Sequence, residues 1–387
     1  MADKVLRVGM VGYNFMGKAH SNAWRQVNHF FPDLPAKVEM HTLCGRNVEA
    51  TRKHAGIYGW NRTVNDYQAL LDNPEIDIID ITSPNNQHSE MAIAACNAGK
   101  AVLCEKPLSM NVAEAEAVVA AAKKNKTINM VCHNYRRAPA IAFAKQMIEN
   151  GDLGDRFFHF RARYAQDWIV DPEFPLVWRL QKSVAGSGSH GDLAAHLIDV
   201  AHYLIGGMKE VCGLMETFVK ERPVLAEVKA GLSATAGTKR GKVTVDDAVS
   251  FIGRFKNGAV ANIEATRFAT GHKNGMEFEI NGNKGSIFFA FEDMNRLKYF
   301  SANDPAGKQG FRDILVSEGG THPFWKAWWP PGHIIGYEHT FVHTVADLIT
   351  NVCEGRNTHP TFVDGLECQK VLDAVDQSVR TKAWVKV

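Results

Sequence analysis

The sequence holds 387 residues, 45% hydrophobic and 22% charged, with 44 Lys+Arg against 42 Asp+Glu for a formal net charge of +2. That length exceeds one ordinary core and predicts two domains. The near-neutral balance excludes the general electrostatic attraction on which nucleic-acid and membrane-surface binding depends. Apolar runs such as AVVAAA fall far short of a membrane span, and the N-terminus enters a strand pattern directly, with no signal segment. None of the seven cysteines forms a CxxC pair, and several sit in strand-like or helix-like apolar runs. They predict buried thiols and a cytoplasmic protein.

In chain order, VLRVGMVG predicts a strand and Gly17 to about Val27 a helix. VEMHTLCG, IDIIDIT, AVLCE and TINMVCHN predict further strands, separated by the helical patterns NVEATRKHAG, HSEMAIAACNAG (closed by Gly99) and MNVAEAEAVVAAAKKN. Near-continuous apolar strands alternating with helices imply a doubly wound parallel sheet covered on both faces. Later segments, RFFHFRARYAQDW, VSFIGRFKNGAVANIEATRF and GMEFEINGNKGSIFFAF, alternate polar and apolar residues around KNG and GNKG turns. They predict an α+β domain with a large, open, mainly antiparallel sheet. A helix over roughly Gly365–Arg380 and a short strand at WVKV close the chain. The expected division is 1–136 for nucleotide binding and 137–387 for substrate binding and oligomerisation, with C-terminal residues able to return to the first domain. One sheet face is expected to expose apolar residues such as Phe251, Ile263, Phe278 and Ile280 or their alternates, for burial in a homo-oligomer.

The stretch VGMVGYNFMG places Gly12, Asn14 and Gly17 where a dinucleotide-binding turn has three glycines, with Phe15 and Met16 opening the helix. Gly12 permits the tight turn, Gly17 permits close helix–sheet packing, and the helix N-terminus suits a pyrophosphate. Asn14 replaces the middle glycine and tolerates left-handed backbone better than most side chains. The second strand ends LCGRN, where an acid would take ribose hydroxyls. Gly45 and Arg46 stand there instead, so Arg46 either meets an NADP phosphate or is a solvated helix-start residue. The cofactor is expected to be NAD or NADP. After the next strand, Thr82, Ser83, Asn85 and His88 are candidates for the same edge, although Ser and Asn are also ordinary helix-start residues. Glu105 ends the strand AVLCE and Lys106 follows it, at the carboxyl edge where such sheets bind ligands, and Lys106–Pro107 is a candidate cis bond.

The glycine turn, PNNQH, EKP, HNYRRAPA and GSGSHGDLAAHLID, in that order, resemble the Gfo/Idh/MocA family of sugar and polyol dehydrogenases. NYRRAPAIAFAKQMIENGDLG, YAQDW, WRLQKSVAGSG, VDDAVSFIGRFKNGAV and FVDGLE extend the likeness over nearly the whole chain, towards its levoglucosan and inositol dehydrogenase group. The resemblance implies a Rossmann domain, a bound nicotinamide cofactor, dimers or tetramers, and a catalytic Lys106–Asp192–His196 group. It also implies Asn134 near the nicotinamide and Tyr135 near the sugar. Asn14, His190 and the aromatic HPFWKAWWPPGH segment depart from the pattern, and the last two leave the particular sugar open.

The residues support the same chemistry. Asp192 and His196, four apart, share one face of a helix, and Gly186 and Gly188 let the preceding loop approach a ligand. Oxidising a secondary alcohol requires loss of a hydroxyl proton as hydride leaves, which suits a neutral imidazole. Lys106 would stabilise alkoxide character, and Asp192 would orient substrate or lysine. Gln166 and Trp168 offer a polar and stacking surface for a sugar ring, while Trp178 and Arg179 are candidates for the cofactor pyrophosphate. His339 and His343, with Glu338, have helical metal spacing but lack a third strong ligand, so no metal is expected. The leading expectation is an NAD(P)-dependent dehydrogenase of a sugar, anhydrosugar, glycoside or inositol. A redox-neutral glycosidase with tightly bound NAD and a non-catalytic sugar- and nucleotide-sensing regulator are the alternatives.

Overall fold

The computed structural model describes residues 4–228 and 234–387. They form two compact units, the first comprising residues up to Asn134 together with Tyr337–Gln369, the second Tyr135–Glu227, Ala234–Gly336 and Lys370–Val387. In the first unit, strands β1 (Val5–Val11), β2 (Lys37–Cys44), β3 (Arg62–Val64), β4 (Ile78–Ile81), β5 (Ala101–Cys104) and β6 (Asn129–Val131) make one sheet in the order β3-β2-β1-β4-β5-β6. Every pairing is parallel. All four residues of β4 and of β5 are buried, as the continuous apolar runs predict. Val11, Ile79, Ile81, Val102, Cys104 and Val118 share one core cluster with Phe362 from the C-terminal segment. The helix Tyr337–Glu354 also belongs to this unit, with Phe341 5.3 Å from the His20 ring. The expected strand TINMVCHN is shorter than its apolar pattern, because the chain turns into a short 3₁₀ helix at Asn134–Arg137. The sequence reading missed β3.

The second unit is built on a nine-stranded sheet. Its strands are β7 (Phe157–Ala165), β8 (Met208–Glu216), β11 (Ala248–Phe255), β12 (Val260–Thr266), β13 (Gly275–Gly282), β14 (Gly285–Ala290), β15 (Arg296–Ser301), β16 (Arg312–Leu315) and β17 (Val385–Lys386). Between β8 and β11 the chain adds a separate pair, β9 (Glu221–Val228) and β10 (Ala234–Lys242), which the sequence reading missed. The large sheet has the order β16-β15-β14-β13-β7-β12-β11-β8-β17, and only the β7–β12 pair is parallel. Phe160, Phe278 and Phe289 stack through its buried face, with centroids 5.8 and 5.2 Å apart, and the helices Pro139–Glu149 and Ala195–Leu204 pack on this unit.

Phe251, Ile263, Phe278 and Ile280 all lie on that covered face and are fully buried. Their alternates on the open face are mostly charged or polar. Glu277 pairs across the ladder with Arg163, and Arg163 with Glu264. Arg163–Glu277 and Arg161–Glu279 form ion pairs of 2.8 and 3.6 Å. The expected apolar open face is therefore a ladder of opposite charges, because period-2 alternation puts the aromatic and aliphatic set inward.

Candidate active site

In the first unit, the β1 turn leads into helix α1 (Phe15–Phe30). Gly12 has φ of +103°, and a Cβ there would lie 2.6 Å from Thr82 Oγ1 and 2.8 Å from the Thr82 carbonyl. A Cβ on Gly17 would lie 2.5 Å from the Gly12 carbonyl. Neither position admits a side chain, so the loop is a bare backbone cradle at the entry of a sixteen-residue helix. No acid occupies the first turn of α1, and Asn14 makes no side-chain cap. The helix dipole and uncapped N–H groups are thus available to an anion. Asn14 has φ of −75°. It does not need the left-handed tolerance for which the sequence argued, and its exposed side chain stands clear of the turn, as does that of Phe15. Gly45 is equally constrained: a Cβ would lie 2.5 Å from both the Tyr13 ring and Thr51 Oγ1. The packing of Tyr13 thus removes any acid from the end of β2, and Arg46 beside it is exposed.

At the ends of β4 and β5, His88 is buried, with Nδ1 2.7 Å from the Pro107 carbonyl and Nε2 2.8 Å from the Ser83 carbonyl. Burial lowers its pKa, and the two carbonyls oppose this without prevailing. The neutral ring carries one N–H and donates to one of these carbonyls, so His88 is wedged between the loops that carry Ser83 and Pro107. The Lys106–Pro107 bond is cis. Asn134, at the end of β6, donates to Thr340 Oγ1 at 2.8 Å.

Glu105 belongs to a buried network that the sequence reading did not assemble. One Glu105 oxygen accepts the Lys106 N–H at 3.1 Å and the other lies 2.9 Å from His20 Nε2. His20 Nδ1 lies 2.9 Å from both oxygens of Asp80, which also accepts from Trp24 Nε1 at 2.7 Å. With a carboxylate at each ring nitrogen, the imidazole satisfies both only when doubly protonated. Burial opposes that charge, yet the charge and hydrogen bonds of Asp80 and Cys132 together outweigh it and raise His20 well above 6.5. Burial alone would raise Glu105 too, but the hydrogen bond and charge of His20 hold it below its ordinary range. His20, Glu105 and Cys132 offer ligand atoms within 4.8 Å of one another. Burial and the nearby Glu105 charge push the Cys132 thiol up to about 12, so the group is a proton-bound network with a poor thiolate donor. The visible signal was Asp80, an acid inside an apolar strand, which demands a partner.

The second unit carries the other candidates. Residues His190–Ala194 form a π-helical turn that runs into the α-helix Ala195–Leu204. Asp192 and His196 therefore straddle a π/α junction, whereas the sequence predicted one plain α-helical turn. Asp246 anchors the entry, accepting from Gly188 N at 2.7 Å, Ser189 Oγ at 2.7 Å and His190 N at 2.8 Å. A Cβ on Gly188 would lie 1.7 Å from the Asp246 carbonyl, so only glycine allows this approach. His190 is buried, with Nε2 2.9 Å from the Leu372 carbonyl.

Around Asp192 and His196 runs a chain of contacts. Arg267 Nη2 donates to Asp192 Oδ2 at 2.7 Å, and its guanidinium carbon lies 5.3 Å from the Trp168 ring centroid. Trp168 Nε1 donates to Gln166 Oε1 at 2.9 Å, and Gln166 Nε2 to Asn274 Oδ1 at 3.0 Å. Tyr164 donates to the same Asn274 oxygen at 2.7 Å, so the 2.7 Å contact between Tyr135 and Tyr164 has Tyr135 as donor. The Tyr135 ring stacks on His196 at 4.0 Å and 13°. Tyr135, Gln166, Trp168, Asp192 and His196 are thus linked in one run of contacts through Tyr164, Arg267 and Asn274, which the sequence reading missed. Tyr164, Gln166 and Trp168 alternate along the chain, the signal that was available for Tyr164. Arg179 stacks on the neighbouring Trp178 at 4.4 Å. Lys106 stands in the first unit, Asp192 and His196 in the second. His343 is buried against Phe31, and His339 lies 3.7 Å from Glu338.

A parallel sheet in the order 3-2-1-4-5-6, with a side-chain-free cradle at its first turn, defines a dinucleotide-binding protein. Comparison with known proteins agrees. Residues 6–133 match the model of an oxidoreductase family with an NAD-binding Rossmann fold, and residues 141–288 match the GFO/IDH/MocA C-terminal domain. Levoglucosan dehydrogenase from Pseudarthrobacter phenanthrenivorans is 40% identical over 99% of this chain and 98% of its own. The solved structure of levoglucosan dehydrogenase in complex with NADH superposes with a TM-score of 0.93, covering 99% of each chain. An oxidoreductase domain protein from Kribbella flavida is 48% identical, also with a TM-score of 0.93 and 99% of each chain covered. Myo-inositol 2-dehydrogenase from Thermotoga maritima is 26% identical over 99% of this chain and 98% of its own. The chain belongs to the Gfo/Idh/MocA oxidoreductase family and is a nicotinamide-dependent oxidoreductase. Among the described residues, no helix is long and apolar enough to cross a membrane.

Proposed function

We propose that this protein oxidises a secondary hydroxyl of a cyclic sugar, with an anhydrosugar such as levoglucosan as the first candidate substrate. The observation that carries the reading is the linked set Asp192–Arg267–Trp168–Gln166–Asn274–Tyr164–Tyr135–His196. It puts a carboxylate, an imidazole, an indole face and several fixed hydrogen-bonding groups in one continuous arrangement. An indole face with polar groups around it suits a pyranose, which presents C–H faces and a hydroxyl rim. The likeness to levoglucosan dehydrogenase over nearly the full length supports the substrate class.

Gly12, Gly17 and the first turn of α1 would hold the cofactor pyrophosphate, with Thr82, Ser83 and Asn134 along the same sheet edge. The bound nicotinamide supplies a hydride acceptor. His196 takes the hydroxyl proton on a ring nitrogen, and stacking on Tyr135 fixes the imidazole plane for that transfer. Lys106 stabilises negative charge on the substrate oxygen. Asp192, oriented by Arg267, accepts a substrate hydroxyl. NADH in the solved relative's complex supports NAD as the cofactor, with NADP the second candidate through Arg46.

The test is absorbance of reduced nicotinamide with levoglucosan and NAD or NADP, on wild type, His196→Ala and Lys106→Ala. Loss of a general base lowers turnover by about a hundredfold to ten-thousandfold. His196→Ala is therefore expected to fall in that range with NADH affinity nearly intact. Unchanged turnover in His196→Ala would remove the base assignment. No turnover with levoglucosan, but turnover with an inositol, would move the substrate class.

A further inference from the structure

We propose that Arg267, immediately after β12, is a positioning residue that couples the Asp192 carboxylate to the Trp168 ring, so that charge and stacking surface meet a sugar in one fixed geometry. This rests on the reading of Asp192 and Trp168 as substrate-facing groups. Arg267 is 1% exposed, whereas the Asp192 side chain is 32% exposed, so the ion pair reaches from the interior to the accessible carboxylate. Its backbone is tied too, with the Arg267 N–H donating to the Asp247 carbonyl at 3.0 Å. Within the guanidinium, Nη2 takes Asp192, while Nε and Nη1 have no hydrogen-bond partner among the described residues. Its guanidinium carbon sits over the Trp168 ring, 5.3 Å from the ring centroid.

That is a poor bargain for stability. A buried ion pair is often no better than apolar side chains of the same volume, and two unsatisfied buried N–H groups make it worse. The arrangement gives direction instead. A guanidinium holds a carboxylate oxygen along one N–H axis while its delocalised cation sits over an indole ring, a pairing of fixed directions that lysine or methionine does not supply. Trp168 is oriented a second time through Nε1 and Gln166. Moving Arg267 would therefore remove one directed contact from Asp192 and unseat the ring from one side only.

The experiment is a double-mutant cycle on the full chain with levoglucosan as substrate. The variants are Arg267→Met, Asp192→Asn and both together, with kcat and KM separated and sugar binding to the NADH-loaded protein measured by calorimetry. Misplacing a reacting group by about 1 Å costs on the order of a hundredfold. Arg267→Met is thus expected to lower kcat/KM by about ten- to hundredfold in the wild-type background, but by less than about threefold when Asp192→Asn is already present. Arg267→Lys, which keeps the charge without the planar fork, is expected to recover only part of the loss. Independent multiplication of the two losses would overturn the proposal, because a purely structural arginine acts whatever residue 192 is. Should Arg267→Met fail to fold, the same cycle with Arg267→Lys carries the same criterion. An Asp192→Asn variant with unchanged kcat/KM would sink the assignment of Asp192 instead, an outcome distinct from additivity.

Discussion

His20 sits between Asp80 and Glu105 as a buried cation with one carboxylate at each ring nitrogen. Because its folded pKa is raised, the stabilisation it contributes is complete below about 6.5 and disappears as pH rises through the raised value. Glu105 has the opposite sign: its folded pKa is lowered, so its contribution is present above 4.5 and lost as pH falls through the lowered value. The melting temperature should therefore decline on the alkaline side through His20 and on the acid side through Glu105. In His20→Gln the two carboxylates stay buried without a cation, a loss of about 3–5 kcal/mol at neutral pH. The alkaline decline should flatten in that variant. Calorimetric melting across pH checks this, and parallel alkaline limbs in both proteins would remove His20 from the role. At this scale the sequence showed that something was needed, since Asp80 interrupts an apolar strand. It did not show the answer, because His20 lies sixty positions away on a helix and only the fold brings them together.

The π-helical turn His190–Ala194 differs from the plain helix predicted for GSGSHGDLAAHLID. Periodicity reports a helix and cannot resolve whether one turn is widened. What widens the entry here is remote in sequence: Asp246 draws in Gly188 N, Ser189 Oγ and His190 N. Asp246→Asn keeps the shape but removes the charge and turns an NH₂ towards N–H donors. Hydrogen bonds to charged groups contribute about 1.5–3 kcal/mol each, and one or two would go. The expected result is a melting loss together with a fall in kcat, since Asp192 rides on this turn. A variant that melts earlier yet keeps full kcat would separate the turn's stability from its placing of Asp192. Elements with a strong local pattern were legible throughout: β1, β2, α1 and the strands β11 to β14 follow their alternation or apolar runs. The short β3 and the added β9–β10 pair were not, nor were the bounds, Tyr337–Gln369, of the expected return of C-terminal residues to the first unit. Each depends on contacts across the fold and leaves little local periodicity.

For the whole molecule, the open face of the large sheet is where the expectation of self-association can be tested. Family likeness led to an expected dimer or tetramer, and an apolar face was the proposed cause. The structure replaces that cause with rungs of opposite charge, Glu277–Arg163–Glu264 and Glu279–Arg161–Asn262. Ile252, Leu214 and Val260 are the exposed aliphatic side chains among the strand residues nearby. A second copy covering this face would have to oppose Arg to Glu, so its hold would weaken with salt. Arg163→Glu puts three acids on one rung and tests the point by magnitude. In a monomer, with Arg163 41% exposed, exposed cross-strand charge pairs contribute only about 0.2–1 kcal/mol. The variant should then melt close to wild type. If the face is buried between copies, like charges lose their water, and the same change should dissociate the assembly. Sedimentation velocity at micromolar concentration, in low and high salt, reads the two cases apart. Dimers or larger species that shift to monomer in Arg163→Glu and in high salt are the expected outcome. A wild type that sediments as a monomer under both conditions would end the case for this face as an interface, and an oligomer indifferent to both changes would move the interface elsewhere.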